Sequence, residues 1–394
     1  MKIILYCWGS NSETGLYQSL INQGHEVWRV EKKCSNYLRD LDLAELLFTQ
    51  IHRHGAEMVF SLNYFPIVTM VCKAAGISYI SWVYDSPHFT LYAHQVREAC
   101  NHIFAFDRDM VEYLRSRGVN TVRYMPLATD SDLFVGILER ADEAERKRYQ
   151  CDISFVGSMY RNSHNYFDML LAEEEKKELE PAIARQMFCY DRNTLGEDIS
   201  DEVLVHIGES TGVGLGKDFF ATSRDVVMTA VLEKKVTVKE RESLLEQISR
   251  QFSLDLYTDT ETPEMPLVNN CGLADPLGQT PLIFAGSRIN LNITLRSIHS
   301  GIPLRALDVM ACGGFLLSNY QKELGEYFVE GKEMEMFRTQ EECLQKISYY
   351  LTHEEERKAI AVRGQKKVRE DFSYKKKFSE ILKNLESFSS EYVR

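Results

Sequence analysis

Along the first 127 residues, short apolar runs rich in valine, isoleucine and aromatic side chains alternate with segments of helical period. The pattern predicts strands over 3–8, 25–30, 58–62, 79–83, 102–106 and 122–127, with helices over 14–23, 36–53, 67–75 and 109–117 between them. Gly24 and Gly118 close two of these helices. Strands separated by helices must run parallel and be covered on both faces, because a crossover helix returns the chain to the same edge of the sheet. An α/β, doubly wound parallel sheet is therefore expected for residues 1–135.

Residues 129–150 are rich in charge and poor in strand formers, which marks a hinge around 135–150. A new strand starts at Cys151, a mostly helical stretch occupies about 165–250, and strand-helix alternation then resumes. Acidic and basic runs such as Glu173 to Glu178 read as a solvated helix face with i,i+4 pairing. A chain of 394 residues is long enough for two such domains. The second is expected over 151–372 with the helical insertion inside it, followed by a terminal helix over 373–394 that crosses back to the first domain.

The net charge of −12 argues against a nucleic-acid partner, which needs clustered lysine and arginine. Nine scattered cysteines show neither a Cys-x-x-Cys pair nor zinc-ligand spacing, which points to a reducing, cytoplasmic setting. No run of about 20 apolar residues predicts an integral membrane segment, and peripheral membrane contact is left open.

The chemistry concentrates near Ile289 to Asn319. A strand-like run there leads through Gly301-Ile302-Pro303-Leu304-Arg305 into a helix, Gly313-Gly314 stops it, and Phe315-Leu316-Leu317 forms the next strand. The start of such a helix offers free N–H groups and a positive dipole end to phosphate. Arg305 and Asp308 share one face, so Arg305 is assigned to a diphosphate and Asp308 to ribose hydroxyls. Gly157, Ser158 and Tyr160 follow the strand 153–156 and are expected to approach a phosphate or sugar. Tyr257 is assigned to the wall of a base pocket, and Arg288 and Asn292 flank the strand that leads to the helix. In the first domain, Asp85 at a strand end before Pro87 suits a general base, with His88 beside it. The loop Gly9 to Gly15 lacks both the Gly-x-Gly-x-x-Gly and the P-loop spacing. Asp-x-Asp triplets at Asp40, Asp107 and Asp130 all precede the second domain, and the first is placed inside a helix.

The segment Asp308-Val309-Met310-Ala311-Cys312-Gly313-Gly314 resembles the acidic-residue, Ala, Met, Ala, Cys, Gly segment of retaining glycosyltransferases of the GT-B fold. With Trp82-Val83-Tyr84-Asp85-Ser86-Pro87, Asp152 to Ser158 and a tail around Phe372-Ser373-Tyr374, it is most similar to the CgeB-like, spore-maturation branch. That resemblance implies two Rossmann-like domains facing across a cleft. It also implies a nucleoside diphosphate sugar donor, UDP favoured, a protein or glycan acceptor and no metal cofactor. Where many relatives carry an acidic residue toward the donor sugar this chain has Ser300, and His299 is the candidate substitute. An NDP-sugar 2-epimerase and a catalytically degenerate nucleotide-binding scaffold are the alternatives.

Overall fold

The computed structural model describes residues 1–161 and 165–391, with side chains to residue 385. The chain forms two α/β units, each built on a six-stranded, all-parallel sheet. The first unit comprises residues 1–130, 216–220 and 371–394, and the second 131–215 and 221–370.

In the first unit β1 (Lys2–Cys7), β2 (Glu26–Glu31), β3 (Met58–Leu62), β4 (Ser78–Val83), β5 (Asn101–Ala105) and β6 (Val122–Tyr124) order as β2-β1-β3-β4-β5-β6. The order reverses beside β1, so the carboxyl ends of β1 and β3 open the crevice where such sheets take ligands. One sheet face packs Leu43, Leu47, Val68, Val71 and Leu114. The other face is completed from far along the sequence. Tyr374, Phe378 and Ile381 of helix Tyr374–Glu391 join Leu5, Phe60 and Trp82 in one buried cluster. Each such side chain contributes roughly 1.5–3 kcal/mol on burial. A short strap also belongs to this unit: Phe220 donates its N–H to the Tyr92 carbonyl at 2.8 Å and takes the Arg97 guanidinium on its ring.

In the second unit β7 (Cys151–Val156), β8 (Leu254–Tyr257), β9 (Asn269–Asn270), β10 (Ser287–Asn292), β11 (Leu316–Asn319) and β12 (Glu335–Phe337) order as β12-β11-β10-β7-β8-β9. Here the reversal falls between β7 and β10. The stretch between β7 and β8 holds helices Tyr166–Leu170, Glu173–Met187, Leu195–Asp198, Asp201–Thr211, Ser223–Val226 and Lys234–Ser249. It carries its own apolar cluster around Phe167, Ile183, Leu204, Val227 and Val231.

Three sequence expectations shift. The helix drawn over 36–53 is Leu41–His54, because the Asp40 carboxylate accepts the Leu43 N–H at 2.9 Å and so caps the start instead of lying inside. The strand drawn over 122–127 stops at Tyr124, shortly before Pro126, which has no N–H for a ladder. The charged hinge is helical, with Ser131–Arg140 and Glu143–Arg148, and the division between units falls at Asp130 rather than past residue 135.

Candidate functional site

The loop after β7 is held from three sides. The Gly157 N–H donates to the Tyr257 carbonyl at 3.0 Å, and the Tyr160 N–H donates to Ser158 Oγ at 3.0 Å. Tyr160 sits at φ +53°, the left-handed region that a side chain other than glycine enters at a cost. That backbone turn lays its ring between two cations. Arg241 Cζ lies 4.9 Å from the ring centroid and Lys234 Nζ 5.3 Å, both supplied by helix Lys234–Ser249.

Arg241 is 6% exposed. It donates from Nη1 to the Ser158 carbonyl and from Nη2 to the Ile293 carbonyl at 2.5 Å, so one guanidinium ties the loops after β7 and β10 together. Burial holds its pKa below the arginine range, and the Arg305 charge pushes in the same direction. The Lys234 ammonium is likewise held below the usual lysine value by burial. Arg305 lies over the Phe284 ring at 5.5 Å, at the start of helix Leu304–Ala311. Pro303 is the residue before that helix and no side chain caps it, which leaves its first N–H groups toward the same end of the sheet. Among the described residues, none of Lys234, Arg241 and Arg305 forms an ion pair with a carboxylate. Two cations at the Tyr160 ring, with the Arg305 charge acting on one of them and none of the three in a carboxylate ion pair, form an anion cradle.

The loop from Thr294 to Ser300 borders this cradle and is fixed from below. Asn292, buried at the end of β10, donates to Thr294 Oγ1 at 3.0 Å and Ser318 Oγ at 2.8 Å. Arg296 pairs with the fully buried Glu240 at 2.8 Å. Ser300 is itself buried and donates to Glu323 Oε1 at 2.7 Å, so a carboxylate stands beneath the position where one was missed. His299 Nε2 lies 2.8 Å from Glu233 Oε1.

Of the residues singled out from sequence, Gly157, Ser158 and Tyr160 form the loop at the cradle, and Arg305 acts on Arg241 through its charge. Asp308 stands one turn further along the helix from Arg305, half-buried. Tyr257 is 8% exposed and serves through its backbone carbonyl, and Asn292 is consumed in positioning the next loop. Arg288 lies apart. It sits near the amino end of β10, pairs with Asp152 at 2.8 Å, and lines a separate cavity of about 630 Å³ with Arg357 and Glu354. Lys234 and Arg241 were not foreseen.

In the first unit Asn63, at φ +64° just past β3, grips the end of β4. Its Nδ2 donates to Asp85 Oδ2 at 2.6 Å, and its Oδ1 accepts the N–H groups of Tyr84 and Asp85 at 2.9 and 3.2 Å. Asp85 itself is exposed. His88 Nε2 accepts the Tyr64 N–H at 3.1 Å, and burial lowers its pKa while Asp85 opposes the shift. The loop after β1 is filled from inside: the buried Glu13 carboxylate accepts the Trp8 N–H at 2.8 Å and the Gly9 N–H at 3.3 Å, with burial raising its pKa. An incoming phosphate there would meet a carboxylate.

Residues 219–383 match a family model described as glycosyl transferase-like. No curated protein matches the chain significantly by sequence. Among solved structures, the chain is similar to HepE from Anabaena in complex with UDP, at 11% identity and TM-score 0.54, covering 98% of this chain and all of that one. Sucrose-phosphate synthase from Thermosynechococcus elongatus aligns at 10% identity and TM-score 0.56, over 100% and 99% of the two chains. A glycosyltransferase from Rickettsia africae aligns at 11% and TM-score 0.52, over 99% and 98%. The fold is therefore the two-domain GT-B α/β fold, with two doubly wound sheets. No helix of the described residues is long and apolar enough to cross a membrane.

Proposed function

We propose that the protein is a glycosyltransferase that moves a sugar from a nucleoside diphosphate to a hydroxyl of a protein or glycan acceptor. One observation carries this reading: Lys234 and Arg241 meet the Tyr160 ring at the strand ends of the second unit, the Arg305 charge reaches Arg241, and none of the three forms a carboxylate ion pair among the described residues. When the glycosyl bond breaks, negative charge accumulates on the departing diphosphate. Fixed cations and helix-start N–H groups in a partly desolvated site stabilise that charge without reorganising. They supply the counter-charge a metal would otherwise bring, so the reading needs no metal.

Asp308 is assigned to the ribose hydroxyls, by its place three residues after Arg305. Asp85 is assigned as the base that takes the acceptor proton, its carboxylate aimed by Asn63. His88, kept neutral by burial, is assigned to acceptor contact. The Glu13 carboxylate in the loop after β1 favours the second unit over the first for the diphosphate. UDP is favoured because HepE was crystallised with UDP and with UDP-glucose. The family match over 219–383 favours transfer over 2-epimerisation. The Trp82 to Pro87 motif supports the CgeB-like branch, and the cysteine pattern a cytoplasmic setting.

The test is a thermal-shift screen against nucleoside diphosphates and their sugars, with and without chelator. A selective shift that survives chelation is expected, and no shift with any nucleotide refutes the donor assignment. Asp85→Asn should keep nucleotide affinity and lose transfer; unchanged turnover removes Asp85 from catalysis.

A further inference from the structure

A buried carboxylate beside the cradle has no part in the reading above. Residues Val227–Glu233 form a π-helical stretch directly before helix Lys234–Ser249. Such stretches are rare, offset the residues that follow, and recur at functional sites. Glu233 ends this one and is 2% exposed. Its Oε1 accepts from Asn193 Nδ2 at 3.0 Å and meets His299 Nε2 at 2.8 Å, while its Oε2 is buried with no hydrogen-bond partner among the described residues. A carboxylate so placed is costly unless a strong donor compensates it.

Glu233 and Glu240 are seven residues apart on one helical face, and Arg296 and His299 are three apart in the loop they hold. The two pairs differ. Arg296 and Glu240 are both buried, with side chains 10% and 0% exposed, which suits a strut. The His299 side chain is 37% exposed although its Nε2 is anchored. The Arg296 pair is closed to solvent, whereas part of the His299 ring is reachable from it.

We propose that Glu233 is a positioning residue that fixes the Nε2 proton and the ring orientation of His299, so that the imidazole meets hydroxyls of the donor's sugar. This rests on the donor reading and names the sugar, not the diphosphate, as the group His299 reads.

The experiment compares affinities for UDP and for a UDP-sugar by calorimetry. The probe is whichever of UDP-glucose, UDP-galactose and UDP-N-acetylglucosamine binds the parent most tightly. Glu233→Gln and His299→Gln should each weaken UDP-sugar binding about tenfold, a cost typical of one lost charge-assisted hydrogen bond, with UDP affinity unchanged. The double variant should lose no more than either single one. Additive losses, equal losses for UDP and UDP-sugar, or no loss in either single variant overturn the proposal. His299→Gln alone decides the sugar contact should Glu233→Gln fail to fold. A parent that binds neither UDP nor any UDP-sugar refutes the donor reading itself, and the Glu233 role with it.

Discussion

Lys234→Met separates ligand binding from folding by sign. The ammonium is half-buried against the Tyr160 ring with no carboxylate partner among the described residues, and burial depresses its pKa. The charge is therefore a burden on the free protein and an asset once an anion arrives. Methionine keeps the stem and removes the charge. A unit charge about 4 Å from a phosphate oxygen is worth about 4 kcal/mol at an effective dielectric of about 20. Salt screening and desolvation of the ligand take back part of this, leaving a net loss near 2 kcal/mol, or roughly 30-fold in Kd for UDP. Calorimetry with UDP at low and moderate salt measures the loss, and a thermal melt without ligand measures stability. The melting temperature should hold or rise. A variant that binds UDP like its parent, or that melts several degrees lower, refutes the reasoning, because Lys234 would then be a structural cation with a partner of its own.

The same lysine predicts a pH dependence. Its pKa in the free protein lies below the ordinary lysine value of about 10.4, and a bound diphosphate favours the charged form. Above the free-protein pKa, binding must draw a proton from solvent, so UDP affinity falls as pH rises through that value; in Lys234→Met this limb should vanish. Gly314→Ala should destabilise the second unit by about 3 kcal/mol in urea unfolding, since an added Cβ would lie 2.6 Å from Asn290 Nδ2 and 2.7 Å from the Phe284 carbonyl. A loss under about 1 kcal/mol would mean that this backbone can yield.

The parallel sheets were legible because buried strands must be apolar on both faces and crossover helices must not be, a contrast plain from β1 through β5. The Gly157 loop is legible because it directly follows a strand, and Arg305 because it opens a helix behind Gly301 and Pro303. Lys234 and Arg241 lie inside a long, mostly helical stretch in which charged runs such as Glu173 to Glu178 draw the eye to a solvated face. A local signal was present: neither residue has an acidic neighbour at i±3 or i±4, and Val231, Val238 and Leu244 surround them. What no pattern could supply is the π-helical stretch, a matter of backbone registry that shifts which side chains face the sheet end. The role of Asn63 was hidden for a similar reason, since its left-handed backbone is set by tertiary contacts with the end of β4.

The return of helix Tyr374–Glu391 to the first unit governs the order in which the chain can mature. Leu5, Phe60 and Trp82 are made early, yet the side chains that cover them, Phe378 and Ile381, leave the ribosome only after the whole second unit has been synthesised. At about 5–20 residues per second the roughly 250 intervening residues take some tens of seconds. Through that interval part of one face of the first sheet, beyond what Leu16 and Leu20 cover, stands open to water and to other chains. Shortened products of this chain that stop before residue 374 should therefore be the ones that chaperones and proteases find.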